Sequence, residues 1–521
     1  MLGKYKICVF NGLYLLRIFG EELPVKGISF LSNRPQYLQS GKDLTMWHEQ
    51  IHQHKQNKKN SMLHFAFTAR YSQSFKNAQI AETLFGSSIL HIAGSGIQER
   101  PVNSLVADYF GLSPKFKSTI FIRPSIKTGM ITTDILWSLK NHVKGLYIKA
   151  SFPFCVSKQS LGLHEVISPE ATSSPFPVGY MDTNGTATNP SAQSFIEAIV
   201  GQSQTGTLQP LTKGKIKSQH KIGLADIPIL LGWQPIQNDL WGLALEFIGL
   251  VPTGSRPKNE FLFEPIIGNE KQPAVGAGIT SYIKIWEELE QDMHLYLTGY
   301  FYHFFKSIQY RSFDFKYNGF LSRYLLIKEF DTHQTATGNI IPAINITTLK
   351  CHVHNALVFD GTLFFAYTHN NFFTDFGYNG FIKSKDKIEI KETIPLNTYG
   401  IKGTQFIFDP LTNLLDSSTA SRISITEGSL IDQTTFKDAA TVFINTQDLC
   451  IDSARVPLTI VHTFFASIGY RKQEDFVSRC LPFCGIGAEV SLEGLDLDHF
   501  SSITKHSISQ WSLYFKGGFS Y

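Results

Sequence analysis

The 521 residues are short of charge, with Asp, Glu, Lys and Arg making up 17% of them against roughly 25% in soluble domains. Long apolar runs are also missing. Beyond the amino terminus no run reaches the length of about eighteen apolar residues that marks a helical span, which argues against helical membrane crossings. Six cysteines, Cys8, Cys155, Cys351, Cys450, Cys480 and Cys484, are too sparse and scattered for a disulfide framework. As same-face neighbours on an extended strand, Cys480 and Cys484 lie too far apart to pair, so most of the six read as free thiols or one incidental pair. The net charge is only +4, with no basic cluster beyond residues 52–59, which argues against nucleic acid as a partner. No P-loop, nucleophile elbow or dinucleotide fingerprint occurs. Neither an enzyme nor a cofactor is expected.

What the chain does have is aromatic residues, 13% of the total, and a mean hydropathy of -0.06. Low charge without high hydropathy suits a β-barrel, whose strands expose only alternate residues to lipid. The last fourteen residues, ISQWSLYFKGGFSY, show that alternation directly. Trp511, Leu513, Phe515, Phe519 and Tyr521 share one parity with Gly517, and Gln510, Ser512, Tyr514, Lys516, Gly518 and Ser520 share the other. This is a strand with one apolar and one polar face. It resembles the C-terminal assembly signal of bacterial outer-membrane barrels.

One motif speaks for chemistry. His48, Glu49 and His52 spell H-E-x-x-H, which on a helix sets two imidazoles on one face for zinc and a carboxylate beside a bound water. Its surroundings argue otherwise, because Gln50, Gln53, His54, Lys55, Gln56, Asn57, Lys58, Lys59 and Asn60 make the segment polar almost all round. A third ligand is lacking at a convincing distance, since Glu82 lies across the first strand. The segment reads as a solvated periplasmic stretch, and no metal site is assigned.

Period-two alternation gives about fourteen strands, within a range of twelve to sixteen: 62–75, 85–94, 116–124, 130–140, 143–154, 220–233, 240–251, 273–286, 292–306, 347–367, 371–383, 456–471, 476–492 and the terminal strand. The fold class is all-β, a large closed antiparallel transmembrane β-barrel with long extracellular loops and a short N-terminal periplasmic segment. If the last strand ends in the periplasm, the outside connections (155–219, 252–272, 307–346, 384–455, 493–507) are long. Those in the periplasm, 141–142, 234–239, 287–291, 368–370 and 472–475, are short. Outer-membrane barrels show this asymmetry. Two connections depart from it: 95–115, long and counted as periplasmic, with a stretch NSLVADYFGL able to form a helix that plugs or lines the pore, and 125–129, short and counted as outside.

Residues 1–25 read as a signal peptide, with Lys4 and Lys6 ahead of an apolar stretch that Asn11 and Arg17 interrupt. Residues 26–61 follow as the periplasmic segment, and 62–521 form the barrel. Parity places Arg70, Lys149, Glu246, Lys284 and Lys516 in the lumen, four cations to one carboxylate.

The stretches RPVNSLVADYFGLSPKFKSTI, GLYIKASFPF, VPTGSRP, LFEPIIGN and SQWSLYFKGGFSY resemble a poorly characterised family of outer-membrane barrel proteins of Dependentiae-type intracellular bacteria. The likeness runs from about residue 101 to the carboxy terminus. It implies a barrel and an envelope location, but no reaction and no ligand. The FadL-type transporters offer a fold-level analogy only, because the asparagine-proline-alanine signature of their N-terminal hatches is not visible here. The expected function is a porin-like passive diffusion channel of the bacterial outer membrane, meeting lipid, the barrel-assembly machinery and small solutes. The alternatives are a FadL-like transporter of hydrophobic compounds and a structural or adhesion protein acting through its loops.

Overall fold

The structure, a computed structural model, describes residues 27–32, 34–38, 43, 45–47, 63–139, 142–181, 186–201, 207–409, 414–428, 434–436, 441–472, 481–493 and 508–520. The expected signal peptide and the H-E-x-x-H motif lie outside them. Twelve strands form the barrel: β1 Leu63–Ser74, β2 Ser125–Ser138, β3 Leu146–Ser160, β4 Ile227–Gln237, β5 Trp241–Val251 and β6 Ala274–Glu288, then β7 Gln291–Phe304, β8 Val358–His369, β9 Phe372–Lys383, β10 Thr459–Arg471, β11 Leu481–Glu493 and β12 Gln510–Ser520. Each pairs antiparallel with its neighbour in sequence, and β12 pairs with β1 to close the ring. A thirteenth strand, Gln219–Leu224, prolongs β4 along the cap-side half of β3.

The ring is closed, so its wall has no free edge. Its outer face is apolar. Phe67, Leu231, Leu245, Phe301, Ile486 and Phe515 are between 44% and 59% exposed, and their alternate neighbours are buried inside. At the short-turn end Trp137, Trp241, Trp286, Phe372 and Tyr470 also face outward, the aromatic girdle expected where a bilayer meets water. No helix among the described residues is long and apolar enough to cross a membrane. The wall itself is the membrane-spanning element.

The strand count corrects the sequence reading in two places. The expected strands at 85–94 and 116–124 are Ile89–Ala93 and Lys117–Phe121, five residues each, which pair with one another outside the ring. They are too short to cross, since a tilted crossing strand needs about nine to eleven residues. Both belong to a single long connection, 75–124, that also holds the helix Asn77–Phe85. With those two strands gone, both exceptions to the long-short rule disappear. The 347–367 strand divides at residues 355–357 into Thr348–His354, which stays outside the ring, and β8. Gly361 sits in mid-strand beneath the ring of Phe359, 2.7 Å from where a Cβ would stand.

At the end opposite the short turns, the long connections build a cap around a core of their own. Leu84, Phe110, Phe176, Phe195, Phe263, Phe313, Ile344, Ile394 and Ile508 all belong to it. NSLVADYFGL lies there too, with Ala107–Phe110 as a 3-10 turn, so it plugs nothing. The long connection 155–219 holds a short helix, Phe195–Val200, where Ser194 Oγ accepts the Glu197 N–H at 3.1 Å.

The cap also buries charge. Arg311 bonds Glu270 at 2.7 Å and Asp386 at 3.2 Å, and Lys383 stands 3.5 Å from Glu270. Burial alone would push the Glu270 carboxyl up, but Lys383 and Arg311 outweigh it and hold it below its ordinary value. Burial pushes the Lys402 ammonium down to about 7, against the pull of Asp108.

Candidate functional site

The inner parity of the strands makes the lumen polar: Thr68, Thr132, Asp134, Ser151, Thr280, Thr298, Thr362, Asp375, Ser467 and Ser512 are all buried on it. Arg70 pairs with Glu489 and donates to Ser512 Oγ at 2.8 Å. Glu246 accepts hydrogen bonds from Tyr147, from Thr280 at 2.9 Å and from Tyr300 at 2.6 Å. Lys149 lies 4.0 Å from Asp134. Lys284 sits at the short-turn rim beside a bulge and bridges to Glu287 at 2.9 Å. Lys516 is fully buried and donates to the carbonyls of Asp43 at 2.7 Å and Thr45 at 3.1 Å.

The wall is not the net-positive lining that four cations and one carboxylate suggest. Asp134, Asp360, Asp375 and Glu489 share the inner face, and they balance the cations. Each lies on the inner parity of its own strand, so the parity that located the cations also locates these. Lys149 and Lys516 come together over one ring, Trp47, at 5.3 and 5.4 Å. Arg70 lies between them on β1 but nearer the cap, and Glu246 stands beyond Lys149 on β5.

Trp47 belongs to a segment that sequence reasoning placed elsewhere. The described part of residues 26–61 is not a periplasmic segment but a strap that enters from the cap and descends through the lumen. At the cap, Ile28 N–H donates to Thr83 O at 3.0 Å and Ser29 N–H to Ser453 O at 2.8 Å. Just inside the mouth, Arg34 bonds Asp360 at 3.2 Å, and Gln36 both donates to Ile266 O and accepts from Gly268 N–H, each at 2.9 Å. Near the short-turn end, Met46 N–H donates to Asp375 Oδ2 at 2.8 Å. An irregular strap has no period, and nothing in its residue pattern announces these partners.

Two cavities flank the strap. One, the size of a water or two, lies against β1, β2 and β10–β12 and is lined by Arg34, Arg70, Thr128, Ser491, Glu493 and Gln510. The other, with room for a few waters, lies against β3–β5, β7 and β8 and is lined by Asp43, Lys149, Ser151, Leu230, Tyr300, Tyr302 and Asp360. Below them the wall carries aromatic rings, with Tyr296 stacked on Phe364 at 4.9 Å and Phe364 at 6.1 Å from Phe465.

On β12, Leu513, Phe515 and Phe519 face outward at 56%, 47% and 42% exposure. Phe519 packs on Phe65 across the closing seam at 5.3 Å, and Trp511 on Tyr71 at 5.7 Å. Tyr521 lies outside the described residues. Of the described cysteines, Cys351, Cys450 and Cys484 are free thiols. Among the described residues no His, Cys, Asp or Glu cluster could hold a metal ion.

No family model and no curated protein matches the chain. Solved barrels of several kinds align over most of its length at low identity. An outer membrane channel from Pseudomonas putida F1 is 8% identical, covering 88% of this chain and 96% of its own, with a TM-score of 0.33. The transport unit of the autotransporter AIDA-I from Escherichia coli is 7% identical over 94% of this chain and 99% of its own, at 0.31. A Pseudomonas aeruginosa FadL homologue is 7% identical over 88% and 90%, at 0.26. Likeness this remote carries no functional argument, and what this barrel does must be read from its own wall and strap.

Proposed function

We propose that the protein is an outer-membrane channel for small polar solutes that the strap holds closed. The observation that carries this reading is the strap itself, which fills a polar lumen and is tied to the wall by hydrogen bonds and ion pairs, with only water-sized spaces beside it. A structural barrel can fill its lumen with wall side chains alone, and a conduit for hydrocarbons gains nothing from a lining of carboxylates, hydroxyls and ammonium groups. Two features favour the competing readings. The band around Tyr296, Phe364 and Phe465 would suit a FadL-like transporter of hydrophobic compounds, and the cored cap would suit a surface structural protein.

Swelling of proteoliposomes in small sugars and amino acids, compared with uptake of a labelled aromatic hydrocarbon, separates the three. Polar solutes should enter and the hydrocarbon should not. Hydrocarbon uptake alone would establish the transporter. A folded barrel that passes neither, even with its strap loosened, would leave the structural protein.

A further inference from the structure

We infer that the lumen is a polypeptide conduit, through which the chain's own amino-terminal end has been carried to the outer face of the membrane. The direction of the strap requires it. Residues 27–29 are bonded to the cap, Arg34 meets Asp360 near the cap end of β8, and Met46 meets Asp375 near the short-turn end of β9. From residue 27 to 47 the chain therefore runs from the cap to the short turns, and β1 then starts back from the short-turn end.

A route outside the ring is not available, because Tyr37, Leu38, Met46 and Trp47 are buried within it. Nor does the wall offer a slot for later entry. The seam between β1 and β12 is paired without interruption from His64↔Ser520 to Ser74↔Gln510. The strap therefore reaches the cap along the lumen and not through the wall.

Several of the wall's bonds to the strap are to backbone. Lys516 takes the carbonyls of residues 43 and 45, and Asp375 takes the amide of residue 46. Any sequence presents those groups, whereas Arg34, Gln36 and Trp47 meet the wall through their side chains, so the wall holds the strap through both. At the far end Arg323 donates to Gly27 O, and Gly27 lies against Phe320, which is 45% exposed on the cap. Gly27 thus lies within the cap, next to a partly exposed ring.

The inference rests on the outer-membrane orientation proposed above, and its test separates the two. In intact cells, the full chain would carry one epitope directly ahead of Gly27, after the expected signal cleavage. A second would sit at the exposed hairpin tip at residues 332–334 of the cap, and a third in the short turn at 370–371. Antibody should label the first two on intact cells and the third only after permeabilisation. Cap-tip labelling with an amino-terminal epitope hidden until permeabilisation would overturn the conduit and leave the orientation standing. Labelling of the short turn alone would overturn both. If the first epitope blocks assembly, seen as loss of heat-modifiable migration, a single cysteine ahead of Gly27 in a cysteine-free chain takes its place. Reaction with a membrane-impermeant maleimide on intact cells is then the expected result, and protection of that cysteine overturns the conduit.

Discussion

The main-chain N–H of Met46 donates to Asp375 Oδ2 at 2.8 Å, a bond between a strap residue and a wall carboxylate more than three hundred positions away in sequence. With the bonds from Lys516 to the carbonyls of residues 43 and 45, it fixes the lower strap across the lumen. Hydrogen bonds to charged groups contribute about 1.5–3 kcal/mol each, so losing both wall groups should shift the strap's equilibrium by tenfold or more. The variant Asp375→Ala with Lys516→Met should open more often in planar bilayers than the parent while keeping heat-modifiable migration. Unchanged conductance in a folded barrel would mean that the strap is not the seal.

Charge balance in the wall leads to a second expectation. With Asp134, Asp360, Asp375 and Glu489 facing the same lumen as Arg70, Lys149 and Lys516, the parent barrel should show little ion selectivity in a salt gradient. Asp134→Asn removes the partner of Lys149 and should displace the reversal potential towards anions. The shift should grow at low salt, where screening is weaker. A strong anion preference in the parent protein would restore the net-positive lining.

Closure of the ring is tested at its seam. Phe515→Ser with Phe519→Ser strips two outward-facing rings, each worth about 1.5–3 kcal/mol when buried, from the strand that pairs with β1. Unfolded, heat-unmodifiable protein should accumulate in the periplasm. Normal membrane levels of this variant would show that the seam tolerates what the register forbids.

Rings laid across glycines give a paired test of the inner wall. A Cβ on Gly487, on the inner face, would stand 2.3 Å from the Tyr514 ring, whereas one on Gly249, on the outer face of β5, would meet nothing within 4 Å. Gly487→Ala should therefore destabilise the barrel by about 1–3 kcal/mol, and Gly249→Ala should be neutral or slightly stabilising. Urea midpoints in lipid vesicles measure both. Equal effects would remove the steric account.

The cap should respond to pH through Lys402. Its folded-state value is pushed down to about 7 by burial, below the ordinary lysine value of about 10.4. Between those limits the unfolded chain binds the proton and the folded one does not, so stability rises with pH across that window and is flat below it. Lys402→Met should flatten the rise in a melting series from pH 7 to 10. A slope that survives the substitution belongs to another group.

Much of the ring was legible because a wall between lipid and water writes its period into every strand. Phe515 and Lys516 are enough to tell the two faces of β12 apart. The same rule misled at Ile89–Ala93, a short strand that serves a small sheet in the cap. Periodicity reports sidedness, and it does not report what lies on the two sides. Of the lumen, parity located the charges one strand at a time but not their partners. Arg70 and Glu489 are joined only by the register of β12 between them. The strap left no trace in the pattern, because bonds made through backbone groups at residues 43, 45 and 46 place no demand on side chains.

The shared core of the cap has a mechanical consequence. Leu84, Phe195, Phe263, Phe313, Ile394 and Ile508 come from six different connections, each of which joins the outer ends of two adjacent strands. The cap therefore acts as a hoop. Flattening the ring, or sliding one hairpin against the next, would have to shear a close-packed interior that resists small displacements. With its outer rim held round in this way, the barrel's compliance is concentrated at the uncapped end, where only short turns join the strands.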